Sequence, residues 1–121
     1  MTSGVYLAPP LASSFYQGYD QAPEGMNMRV HIEFLGLARL ATGLKELELD
    51  LENGATFRDM VRTLGTQYPA LIGNVIQPDG ETLQHPNRLN HNAKRIVQAH
   101  QMDERPSDGD RIIVMSISAG G

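Results

Sequence analysis

With 121 residues, 40% of them apolar, the chain holds enough material for one domain around one core and too little for a second domain of ordinary size. Its formal net charge of -4 argues against nucleic acid as a partner, because phosphate binding needs a clustered Lys/Arg surface to displace counterions. The absence of cysteine excludes disulfides, thiolate metal sites and thiol nucleophiles, so any sulfur chemistry must be carried on another group.

The segment Met1 to Gly25 is rich in Pro, Ser, Gly, Gln and Tyr, has no Lys or Arg, and shows neither a helical nor a strand period. It reads as a disordered tail ahead of a domain spanning residues 26–121. Tyr6, Tyr16 and Tyr19 could form a docking motif, the plainer alternative being a linker. The longest uncharged stretch, Met1 to Tyr19, is broken by Pro9, Pro10, Ser13 and Ser14, so no membrane span is expected. It also lacks the basic start and unbroken apolar run of a secretory signal, which makes a cytoplasmic location the expectation.

From Met28 onward the pattern is orderly. Val30, Ile32 and Phe34 alternate with Arg29, His31 and Glu33, predicting a half-buried strand. Leu35 to Gly43 then turns the chain. Leu47, Leu49 and Leu51 alternate with Glu46, Glu48 and Asp50 in a second strand at hairpin distance, closed by Asn53-Gly54. Thr56 stands as an N-cap with Asp59 three residues on, in the manner of a capping box. Phe57, Met60, Val61 and Leu64 follow at i, i+3, i+4 and i+7, predicting an amphipathic helix that Gly65 stops. A short helical turn is expected over Tyr68 to Ile76, entered through Pro69.

Pro78-Asp79-Gly80 marks a turn. Leu83 to Leu89 reads as a strand interrupted by Pro86, which favours an edge position, and Lys94 to Gln98 as another. Asp103 to Asp110 is a polar loop, and Asp108-Gly109 leads into a strand from Arg111 to Ile117. That strand is apolar on both faces and belongs in the middle of the sheet. The element order predicts an α+β domain: one mixed sheet with the main helix on one face, and the first and last strands paired in parallel. The expected core is Val30, Ile32, Leu47 or Leu49, Phe57, Val61, Leu64, Ile112 and Val114.

Few residues suggest catalysis. His31, His85, His91 and His100 are not spaced for a metal site and read as solvent-facing. Asp108 and Asp110 could be paired carboxylates, but Asp-Gly-Asp before a strand reads better as a turn. No phosphate-cradling glycine motif and no serine elbow is present. What remains is the end of the sequence, Met115-Ser116-Ile117-Ser118-Ala119-Gly120-Gly121. With glycine at about 7% of residues, two in a row at a given position arise by chance in roughly 0.5% of chains, which disfavours a merely frayed end. Only small residues follow the last strand, and glycine adopts backbone angles that others avoid. From Ser118 to Gly121 such a tail could reach on the order of 13 Å, enough to deliver a carboxylate into another protein's active site.

These features resemble the MoaD/ThiS family, the small subunit of molybdopterin synthase and the thiamin sulfur carrier, and more distantly ubiquitin. The resemblance runs over Met28 to Gly121 and is carried by MRVHIEFLGLAR, ATFRDMVRTL, PSDGDRIIVM and SISAGG. The tail lacks the Pro-Pro of many molybdopterin-synthase subunits and is closer to the Ala-Gly-Gly of thiamin-type carriers, although the body is longer than a thiamin carrier usually is. The resemblance implies a ubiquitin-like β-grasp fold with a sheet of four or five strands. It implies a sulfur carrier in which an E1-like activating enzyme consumes ATP to adenylate the Gly121 carboxylate, which then becomes a thiocarboxylate and donates sulfur to a large acceptor or synthase subunit. Molybdopterin is the first expected destination and thiamin the next. Ser118, Ala119 and Gly120 would be the arm threaded into the partner, and Met115 an apolar docking residue or, alternatively, ordinary core. The chain would bind no cofactor or metal and need no catalytic residue of its own. The alternatives are a ubiquitin-like modifier joined through Gly121 to protein lysines, and a non-catalytic β-grasp interaction module.

Overall fold

In the computed structural model, which describes residues 27–116, the first alternation forms strand β1 (Asn27–Phe34). Met28, Val30, Ile32 and Phe34 are buried and the intervening side chains lie on the other face, as the two-residue period of a strand requires. Strand β2 (Glu46–Glu52) runs antiparallel to it, with Val30 opposite Leu49 and Ile32 opposite Leu47. Of the two candidate leucines, Leu49 is buried and Leu47 only partly so. The expected tail from Met1 to Gly25 and the residues from Ile117 onward lie outside the described residues.

The segment expected only to turn the chain contains a short helix, α1 (Leu37–Thr42). No side chain caps its start at Gly36, and Gly43 ends it in the left-handed conformation, donating its N–H to the Arg39 carbonyl. The main helix, α2 (Phe57–Gln67), begins with the capping box the sequence predicts: the Asp59 N–H donates to Thr56 Oγ1 and the Thr56 N–H to Asp59 Oδ2, both at 3.0 Å. Phe57, Met60, Val61 and Leu64 are buried. Gly65 does not stop this helix, which continues to Gln67. It is buried in the helix interior, where a Cβ would meet Ile72 Cδ1 at 2.7 Å, so the glycine serves close packing of the following turn rather than termination. A 3-10 turn over Pro69–Leu71 follows as expected, and Leu71, Val75 and Ile76 join the core.

The remaining strands are β3 (Asn87–His91), β4 (Arg95–Val97) and β5 (Arg111–Ser116), and the five strands stand in the order β2-β1-β5-β3-β4. The strand expected over Leu83 to Leu89 is displaced. Leu83 makes only an isolated bridge to Ile76, Pro86 precedes the strand, and β3 lies between β5 and β4 rather than at an edge. Pro86, having no N–H to give a ladder, is left outside the strand. β4 falls within the expected Lys94 to Gln98. β5 occupies the centre, parallel to β1 with Ile32 opposite Ile112, and antiparallel to β3 with Leu89 opposite Val114. Val30, Ile32, Leu49, Phe57, Val61, Leu64, Ile112 and Val114 sit in one core between α2 and the sheet. This mixed sheet with its main helix on one face is a ubiquitin-like β-grasp. Among the described residues no helix is long and apolar enough to cross a membrane.

Candidate functional site

The expected site residues follow β5, so what the structure contributes is how that strand is held. Its upstream end is fixed by the Asp108-Gly109-Asp110 turn. The Arg29 N–H donates to Asp108 Oδ1 at 2.7 Å, the Gly109 N–H to the Arg29 carbonyl at 2.7 Å, and the His31 N–H to the Asp110 carbonyl at 2.8 Å. The Asp110 carboxylate accepts from the Ser107 N–H at 2.8 Å, His91 Nε2 at 2.7 Å and Asn92 Nδ2 at 3.1 Å. Burial pushes this carboxyl up, but the bonds from His91, Ser107 and Asn92 together hold it below the usual carboxylate range. The two aspartates thus act as a turn, as their spacing suggests, and not as an acid/base pair.

His91 departs from the solvent-facing reading. Its ring stands edge-on to Phe57 with centroids 5.1 Å apart. Arg95 Nε lies 3.3 Å from its Nδ1, and its Nε2 faces Asp110 at 2.7 Å. Arg95 also lies over the Phe57 ring and pairs with Glu104 at 2.8 Å. His85 and His100 are exposed, as expected. His31 lies on the polar side of β1, as expected, its ring 2.6 Å from Glu48 and 2.5 Å from Glu46. The Glu48 bond, followed by that to Glu46, raises its pKa.

The downstream end of β5 is held more lightly. Ser116 Oγ donates to Asn87 Oδ1 at 2.9 Å, and the Leu35 N–H donates to the Val114 carbonyl at 2.9 Å. Asn87 is 2% exposed and spends its amide on the Gln84 carbonyl at 2.7 Å. Gly36, at a φ of +68°, lies against Ser116: a Cβ there would stand 3.1 Å from Ser116 Oγ. Ser116, the last described residue, therefore lies in the middle of the sheet, beside the start of α1. The predicted site residues Ser118, Ala119, Gly120 and Gly121 fall outside the described residues.

Met115 lies on the sheet face turned away from α2. It is half-buried, is not part of the core cluster, and faces Arg88 of β3. Ile113 neighbours it along β5, and Ile96 of β4 lies on the same face across from Ile113, with Asn90 between the two isoleucines; the Asn90 Oδ1 atom is buried and has no hydrogen-bond partner among the described residues. Toward β2 this face becomes charged, with Arg29 paired to Asp50 at 2.8 Å and Arg111 to Glu33 at 3.3 Å. Sequence reasoning missed three further exposed apolar side chains, Leu35, Leu37 and Leu40. Their signal was leucine recurring in a segment read as a turn.

Among the described residues no group of three or more His, Asp or Glu side chains is placed to hold a metal ion. A cleft of about 700 Å³ lies between the end of β2 and α2. It sits at the Asn27 end of the sheet, opposite the end from which the chain leaves. Three of its ionisable residues have structural tasks: Asp50 pairs with Arg29, and Asp59 caps α2 and pairs with Arg62 at 3.1 Å.

No protein-family model matches the chain. Small archaeal modifier protein 3 of Haloferax volcanii is 32% identical over 94 residues, which is 78% of this chain and 100% of that protein. The chain belongs to the ubiquitin-like small archaeal modifier family. Solved structures agree with this family fold. The HVO 2177 protein of Haloferax volcanii superposes with a TM-score of 0.67 at 27% identity, covering 88% of this chain and 99% of that one. A Pyrococcus furiosus protein assigned as subunit 1 of a molybdopterin converting factor superposes at 0.57 with 20% identity, covering 75% and 99%. In this small modifier-type domain the sheet centre, the exposed apolar side chains beside Gly36 and the route out of the domain all meet at the downstream end of β5.

Proposed function

We propose that the chain is a sulfur carrier whose working group is the C-terminal carboxylate of Gly121. A carboxylate is a poor electrophile, so activation must come from a partner. One carboxylate oxygen attacks the α-phosphorus of ATP in an E1-like enzyme, pyrophosphate leaves, and an acyl-adenylate forms. A sulfide then attacks the acyl carbon, the C–O bond to AMP breaks, and a thiocarboxylate remains, with one proton released and no net oxidation. The chain itself binds no cofactor and supplies no acid or base. Its part is to present a narrow arm, Ser118, Ala119 and Gly120, from a rigid body.

The observation that supports this reading best is the placement of β5. It is paired on both sides in the centre of the sheet and ends at Ser116, five residues before Gly121. A large synthase subunit would then take the sulfur, for molybdopterin in the first instance and thiamin in the second, with Met115 on the exposed sheet face as a docking residue. The test is intact mass after incubation with an activating enzyme, ATP and sulfide. Wild type gains one sulfur for one oxygen. Chains with an alanine appended after Gly121, with Gly121 deleted, or with Gly120→Val stay unmodified, and all keep the wild-type melting curve. Sulfur gained by the extended chain, with its added residue still attached, would sink the reading.

The name of the Haloferax relative, a modifier protein, favours a second reading with the same first step. A protein lysine would then displace AMP and form an isopeptide bond to Gly121. Higher-mass adducts that yield a Gly-Gly remnant on lysine after proteolysis would establish that outcome.

A further inference from the structure

Leu35, Leu37 and Leu40 are 38%, 43% and 81% exposed, and they are the exposed large hydrophobic side chains among the described residues. They are not scattered. They fall within six consecutive positions around Gly36, the residue that packs against Ser116. Leu37 and Leu40 are i and i+3 on α1, so they share one side of that helix, while the adjacent face buries Ala38 and packs Ala41 on the core. A helix rises about 1.5 Å per residue, so Leu40 stands only one turn along from the point where the chain leaves the sheet.

We propose that Leu35, Leu37 and Leu40 form the grip by which the adenylating enzyme holds this domain while its tail is in the nucleotide site. The inference rests on the carrier reading above and names the partner's foothold. Five residues follow Ser116, spanning about 16 Å when extended. Whatever receives the Gly121 carboxylate must therefore touch the domain within that radius of Ser116. The tail cannot supply the affinity itself, because Ser118, Ala119, Gly120 and Gly121 bury almost no apolar surface. Affinity has to come from the body near the root of the tail, and the exposed leucines are concentrated there. Once they are seated, the tail's encounter with the nucleotide site is intramolecular and its effective concentration is set by this short tether. The activating enzyme is the committed occupant because it meets the unmodified tail first, before any covalent bond to the carrier can prolong the encounter.

The test uses Leu40→Arg and Leu40→Ser in the full chain, assayed by ATP–pyrophosphate exchange with the E1-like enzyme. Expected are a rise of about tenfold or more in KM for the carrier with Leu40→Arg, a smaller rise with Leu40→Ser, unchanged kcat at saturating carrier and unchanged melting. An unchanged KM alongside active wild type overturns the grip and leaves the carrier reading standing. So does a fall in kcat without a rise in KM, or a defect confined to sulfur delivery onto the acceptor. A wild-type dimer that Leu40→Arg dissociates would reassign the patch to a second copy of the chain. If wild type itself forms no adenylate, the carrier reading fails and the grip fails with it.

Discussion

The two ends of β5 are built on opposite principles. At the upstream end one carboxylate, that of Asp110, gathers three donors from a loop, a hairpin turn and a strand, and Asp108 and Gly109 tie the same turn to both polar groups of Arg29. At the downstream end, among the described residues, a single side-chain bond, Ser116 to Asn87, accompanies the backbone ladder, and no bulky residue follows Ile117 in the sequence. A strand clamped at one end and lightly held at the other can project a tail without loosening the domain. On the carrier reading proposed above, this difference would let the end of the chain change partners while the core stays fixed.

The comparison is testable by substitutions of graded size. Asp110→Ala strips acceptors from His91, Asn92 and the Ser107 N–H, and should destabilise by about 2–3 kcal/mol in urea unfolding. A loss under about 0.5 kcal/mol would show that the upstream clamp is not one. The sign of its pH dependence follows from the depressed pKa. The contribution of Asp110 is present above its unfolded pKa, near 3.9, and disappears as pH falls through the lower folded value, so wild type and Asp110→Ala should converge in acid.

Ser116→Ala removes one bond to a buried amide and should cost about 1 kcal/mol, clearly less than Asp110→Ala; equal losses would erase the contrast between the two ends. His31→Ala, away from both ends, should have the smallest effect, under about 1 kcal/mol because its partners Glu46 and Glu48 are solvent-exposed. Its pH sign is opposite to that of Asp110. The raised pKa means that His31 stabilises fully below its unfolded value, near 6.5, and the benefit is lost as pH rises through the folded value. Melting curves of the two chains should differ at pH 5.5 and coincide at pH 9.

Much of this was legible because physics repeats at short range. β1 and β2 announced themselves by alternation, α2 by Thr56 and Asp59 ahead of Phe57, Met60, Val61 and Leu64, and β5 by apolar residues on both faces. β3 was legible only in part, because two of its inward positions are Asn87 and His91, polar residues that meet partners distant in sequence: Ser116 for one and Asp110 for the other. α1 has no side-chain cap and only six residues, too few to display a period. Gly65 misled because a glycine near a helix end usually stops it, whereas here Ile72, brought in by the following turn, occupies the space a side chain would need. The candidate site was legible in type from Gly120-Gly121, but the clustering of Leu35, Leu37 and Leu40 beside Ser116 exists only in three dimensions.

The central place of β5 also bears on how the protein is made. β1 and β2 form one hairpin and β3 and β4 another, but the two hairpins meet only through the last strand. During synthesis the sheet stays in two halves, and the core positions later filled by Ile112 and Val114 stay open, until β5 has been made. Pairing between such distant segments is intrinsically slow. A chain that stops short of β5 therefore lacks the middle of its sheet and cannot complete the core that Ile112 and Val114 fill.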